Sequence, residues 1–174
     1  MKKFIPIVLS AVLAVSLTGC IGSSGPQLPS VNTAEGKDLK KTDASKYKND
    51  LEGLEKYLTD LHYLPEDIQS TEMMHDVIGA KAGERYNFLV DNSAVYVELY
   101  EYDTDNMSEE AIRVTGEAKS KGEIQVLSDD AAVFPAILSS NGKYLLMYTD
   151  GSTNEGNVTR KKNFTEAVKN FHKS

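Results

Sequence analysis

The chain is poor in the residues that most often reveal a chemistry. Its 174 residues hold one cysteine, three histidines, five prolines and no tryptophan. A single thiol closes no internal disulfide and builds no cysteine-based zinc site. His62, His75 and His172 fall on separate segments, with neither an H-x-x-x-H nor an H-E-x-x-H spacing, so a metal centre has no ligand pattern to start from. The G-x-S-x-G elbow and the G-x-x-x-x-G-K-[ST] and G-x-G-x-x-G loops are also missing. Cationic charge is scarce. There are 19 Lys and Arg against 26 Asp and Glu, a formal net charge of -7, which gives no general attraction for nucleic-acid phosphates. No catalytic residue, cofactor, metal or nucleic-acid partner is therefore expected.

What remains is the composition of a folded chain, 40% hydrophobic and 26% charged, with a length suited to one domain and appendages. The first 20 residues, MKKFIPIVLSAVLAVSLTGC, stand apart. Lys2 and Lys3 precede an apolar stretch of 14 residues, Phe4 to Leu17, which suits the hydrophobic region of a signal peptide. It is too short for a helix crossing about 30 Å of hydrocarbon. The run closes on Leu17-Thr18-Gly19-Cys20. This segment resembles a bacterial lipoprotein signal, whose lipobox is Leu, a small residue, Gly or Ala, then Cys. The resemblance implies that residues 1–19 are removed and that the Cys20 thiol receives a diacylglyceryl group. Removing 19 residues leaves 155, and losing Lys2 and Lys3 takes the formal charge from -7 to -9. Two or more acyl chains give durable membrane attachment. The expected address is the outer face of the cytoplasmic membrane, or an outer membrane where there is one.

Residues 20–45 carry Gly22, Gly25, Pro26, Pro29 and Gly36 among few large apolar side chains, which reads as a lipidated N-terminus followed by a flexible tether. A single domain is expected over 46–174. Tyr47, Leu51, Leu54, Leu58 and Leu61 recur at helical spacing, and Pro65 predicts a stop by about Tyr63. A short second helix is expected around Ile68–Val77, with Gly79 as its stop. Two β-rich runs flank Asp91-Asn92-Ser93, a hairpin pattern in which Val95, Val97 and Leu99 point one way and Tyr96, Glu98, Tyr100 and Tyr102 the other.

A helix from about Ser108 to Ser120 places Ala111, Val114 and Ala118 on one face before Gly122. A short strand follows over Glu123–Leu127. Asn141-Gly142 then predicts a second hairpin between Ala132–Leu138 and Lys143–Thr149, with Pro135 requiring an edge or a bulge. A loop over Asp150–Asn157 leads to a last helix with Phe164, Ala167, Val168 and Phe171 on one face. The class is α+β: an N-terminal amphipathic helix, a largely antiparallel sheet from two hairpins with a helix between them, and a C-terminal helix. Hairpin–helix repeated twice hints at internal duplication. The run VYVELYEYD, a helix, AAVFPAILSSNGKYLLMYTD and the terminal helix are similar to small Firmicutes lipoproteins whose domain has no assigned activity. That resemblance implies a fold type and no site.

The remaining candidates are surfaces. Tyr96, Tyr100 and Tyr102 share one strand face, and Tyr144 and Tyr148 share a face of another. Neighbouring strands with those faces aligned would form an aromatic recognition stripe; packing under helices is the alternative. Glu101, Asp103, Asp105, Glu109 and Glu110 form an acidic cluster, read as a solvated loop and helix start or as a weak cation site. Arg160, Lys161, Lys162, Lys169 and Lys173 concentrate basic charge near the C-terminus. The leading expectation is a lipid-anchored, non-enzymatic binding domain for an envelope protein, peptide or polymer. An envelope enzyme acting through paired carboxylates and a structural or stress-related spacer are the alternatives.

Overall fold

Helix α1 shows how local chemistry sets the elements. The Asp50 side chain accepts from the Gly53 N–H at 2.8 Å, so the helix runs Leu51–Asp60 and turns Leu51, Leu54, Tyr57 and Leu58 inward. Tyr47 falls before that cap. It joins the same apolar face from outside the helix, with its ring 5.3 Å from that of Tyr57 and its hydroxyl donating to Asp60 at 2.6 Å. The computed structural model describes residues 28–31, 42–127 and 132–173. The signal segment and Cys20 lie outside them.

Strand β1 is Ser30–Val31, and a 3₁₀ turn covers Ala44–Lys46 with Asp43 as its cap. These pieces of the expected tether are therefore ordered against the domain. After α1, the helix expected over Ile68–Val77 is replaced by strand β2, Ser70–Glu72, and a 3₁₀ turn, His75–Ile78. Only the expected stop survives: Gly79 has φ 68°, and a Cβ there would lie 2.5 Å from both the Ala111 nitrogen and the Ser108 hydroxyl.

Strands β3, Ala82–Val90, and β4, Ser93–Glu101, form the first hairpin. Asp91 and Asn92 both have positive φ, 45° and 67°, the geometry that tight hairpin turns require. Helix α2, Glu109–Lys121, has the Ser108 hydroxyl accepting from Ala111 N–H at 3.1 Å and ends at Gly122 with φ 72°. The single strand expected over Ala132–Leu138 is broken in two. β6, Val133–Pro135, pairs with β5, Glu123–Gln125, while β7, Ile137–Leu138, pairs with β8, Tyr144–Asp150. The break falls at Ala136, whose N–H donates to Gly122 at 2.9 Å, next to a proline that has no N–H to give. The last helix, α3, begins earlier than expected. Asn154 caps it, and it spans Glu155–Asn170, so its first three residues lie in the region read as a loop.

The main sheet has the order β1-β3-β4-β8-β7, with β2 also on β3. It is antiparallel except for the β1–β3 pair. The class is α+β, as expected. Helices α1 and α3 cover one face over a core that includes Leu54, Leu58, Phe88, Val97, Phe164 and Phe171. Helix α2 and the β5–β6 ribbon lie on the other, over Tyr100, Tyr102, Ile124 and Leu145. The helices that follow the two hairpins thus lie on opposite faces, which does not fit a simple repeated unit.

Candidate functional site

Helix α2 presents small residues to the sheet, Ala111, Val114 and Ala118, and covers only part of its face. The rest is a groove of about 420 Å³. Its floor is Arg85 from β3, Tyr96, Glu98 and Tyr100 from β4, and Met147 and Thr149 from β8. Met73, Met74, Val77 and Ile78 make one wall, and Val126 and Phe134 the other. The groove is open to water: Met74 on a wall is 81% exposed, Tyr96 in the floor 46% and Phe134 on the other wall 38%.

One polar unit sits in the floor. Arg85 donates from Nε to Glu98 Oε1 at 3.0 Å and from Nη2 to the same oxygen at 2.5 Å. The Tyr100 hydroxyl donates to Glu98 Oε2 at 2.8 Å. Burial, then the Glu98 charge and this hydrogen bond, push the Tyr100 phenol well above its ordinary pKa, so it stays protonated. Both Glu98 oxygens are engaged, and the group orients the floor. The Tyr100 ring lies across Gly83, where a Cβ would stand 2.5 Å from it.

The aromatic stripe does not form. Val97 pairs with Tyr148 and Glu101 with Tyr144, so both β8 tyrosines share the face of Val95, Val97 and Leu99, opposite to Tyr96 and Tyr100. Tyr148 packs 5.3 Å from Phe164 and Tyr144 5.4 Å from Phe171, measured between ring centres. Tyr102 is buried under α2. Only Tyr96 and Tyr100 reach the groove, and Tyr96 alone is exposed.

The charged clusters also separate. Glu101 is buried, 3% exposed, and accepts from the Leu51 N–H at 2.8 Å and from Lys81 at 3.0 Å, with the Lys143 ammonium 3.4 Å away. It serves the N-terminus of α1. Glu110 pairs with Arg113, whose hydrogen bond holds its carboxyl below the usual range. Asp103 accepts from the Asp105 N–H at 3.2 Å. No group of three or more His, Cys, Asp or Glu suited to a metal ion occurs among the described residues.

Arg160 leaves the basic surface altogether. It is 4% exposed and donates to the carbonyls of His62 at 2.5 Å and Tyr63 at 2.9 Å, just past the C-terminus of α1. Asp150 accepts from Ser93 at 2.9 Å and from Asn157 at 2.9 Å, tying α3 to the sheet. His75 Nδ1 lies 2.9 Å from the Ala80 carbonyl, and His172 Nε2 3.0 Å from that of Tyr47.

Met73, Met74, Arg85, Phe134 and Met147 carry no motif. The only signal of the groove in the chain is the alternation of β4, which sets Tyr96 and Glu98 on the face opposite Val97. No family model, curated protein or solved structure matches the chain.

Proposed function

We propose that this is a lipid-anchored extracytoplasmic protein whose domain acts without catalysis, binding an apolar segment of a partner protein in the groove. The anchor is Cys20, and the support for it is the signal-like order of residues 1–20. Among the described residues no helix is long and apolar enough to cross a membrane.

The observation that carries the binding reading is the half-open sheet face. A folded chain gains by covering apolar surface, yet here Met74, Tyr96 and Phe134 stay exposed in a concave groove. Methionine and aromatic side chains with an arginine are the residue types enriched where proteins recognise one another. Unbranched thioether side chains also adapt their shape to what they meet. The Arg85–Glu98–Tyr100 unit fixes the floor, and the methionine wall adjusts.

The test places a photoreactive phenylalanine analogue at Phe134 in the full chain, in its own cells. A matched probe at Val158, 55% exposed on α3, serves as control. One discrete adduct is expected at Phe134, absent at Val158 and lost on Tyr96→Lys. The same adducts from both probes, or adducts indifferent to Tyr96→Lys, would overturn the groove. Separately, Cys20→Ser is expected to move the protein from the membrane to the soluble fraction; unchanged membrane retention rejects the lipid anchor.

A further inference from the structure

We infer that Leu28–Val31 is a clasp that shortens the leash between Cys20 and the domain. This rests on the lipid-anchor reading above and adds how near the bilayer the domain is held.

The geometry is that of a strand added to an edge. Ser30 stands opposite Leu89 and Val31 opposite Val90, in parallel, on the outer side of β3. The Leu89 N–H donates to Pro29 at 2.9 Å and the Asp91 N–H to Val31 at 3.4 Å. Pro29 has no N–H to leave unpaired, so it opens such a strand without loss. Val31 packs against the core of the closed face. The clasp continues along β3 from β2, which occupies the same edge at Glu84–Tyr86. A leash needs none of this, since a solvated tether requires only length.

The consequence is metric. Leu28 lies eight residues after Cys20, which reach at most about 29 Å when fully extended. Without the clasp, the described body begins at Thr42, and 22 residues reach at most about 79 Å. The clasp meets β3 at its last residues, beside the Asp91-Asn92 turn.

The experiment uses the full lipidated chain on vesicles of one part phosphatidylglycerol to three parts phosphatidylcholine. A donor dye sits on Thr153→Cys, which is exposed, and an acceptor dye on the lipid. Val31→Pro should lower transfer by about twofold or more, as a longer flexible leash would. No change on Val31→Pro overturns the clasp.

Amide exchange on the same chain reads the clasp without the membrane. The Leu89 N–H should be protected in the parent and lose that protection in Val31→Pro; a Leu89 N–H that exchanges freely in the parent also overturns it. A chain that keeps Leu89 protected but does not stay on vesicles rejects the lipid anchor, and with it the leash, while leaving the strand contact intact.

Discussion

The two faces of the central sheet use their aromatic residues in opposite ways. On the closed face, rings pack in series under two helices: Tyr63 with Phe164 and Tyr148, and Tyr57 with Phe171 and Tyr144. Charges there meet helix ends. Glu101 accepts from the first N–H of α1, and Arg160 donates to the carbonyls just beyond its last turn, each sign matching the helix dipole. On the other face, α2 offers alanines and a valine, and the sheet beyond it is left to methionines and exposed rings. Full coverage buries area and gives stability; partial coverage leaves area to be buried by something else. The division of labour between the faces is therefore testable residue by residue.

The largest contrast is between two phenylalanines. Phe164→Ala on the closed face removes a fully buried ring and is expected to cost about 3–5 kcal/mol in urea unfolding. Phe134→Ala on the groove wall is expected to cost about 0.5 kcal/mol or less. Similar losses at both sites would break the comparison.

Next in size is Glu101→Ala, which strands the Leu51 N–H and the partly buried Lys143 ammonium. A loss of about 2–3 kcal/mol is expected, surviving high salt because the carboxylate is buried. Gly83→Ala should cost about 1–2 kcal/mol by pushing its Cβ into the Tyr100 ring. It should also weaken the groove adduct more than Phe164→Leu does at comparable stability.

The smallest effect concerns Glu55 on α1, whose carboxyl is raised chiefly by burial. A folded pKa above the unfolded one gives stability that is full below the unfolded value and is lost as pH rises through the folded one. Glu55→Gln is therefore expected to stabilise the protein at pH 7, by roughly 0.5 kcal/mol or less after solvent screening. The gain should vanish below about pH 4. A gain independent of pH would assign it to something other than that charge.

Much of the fold was legible because its signals are local. Ser108 and Gly122 bracket α2 as capping chemistry requires, and Asp91-Asn92 folds into the turn its sequence suggests. Misreadings arose where pairing competes with periodicity. Ile68–Val77 reads as a short helix, but Ser70–Glu72 finds the edge of β3 instead. Ala132–Leu138 looks like one strand, but Pro135 and the pairing of Val133–Pro135 with β5 split it. The tyrosine stripe failed for a single reason. A shift of one residue between β4 and β8 would bring Tyr144 and Tyr148 onto the face of Tyr100; the actual register sends them to the other side.

By itself the sequence determined the α+β class, the order of the three α-helices and of the β3–β4 hairpin between the first two, and the signal-like pattern that closes on Cys20. Each depends on residues within a turn or two of one another, where caps, side-chain period and apolar length act directly. Tertiary structure decided which tyrosines are buried, that Glu101 and Arg160 hold the two ends of α1, and that methionines from residues 73, 74 and 147 line one groove. Those outcomes depend on strand register and helix placement between segments some 50 to 100 residues apart, such as Leu51 with Glu101 and Tyr63 with Arg160. They arise from the packing of whole faces, and no local run of residues carries them.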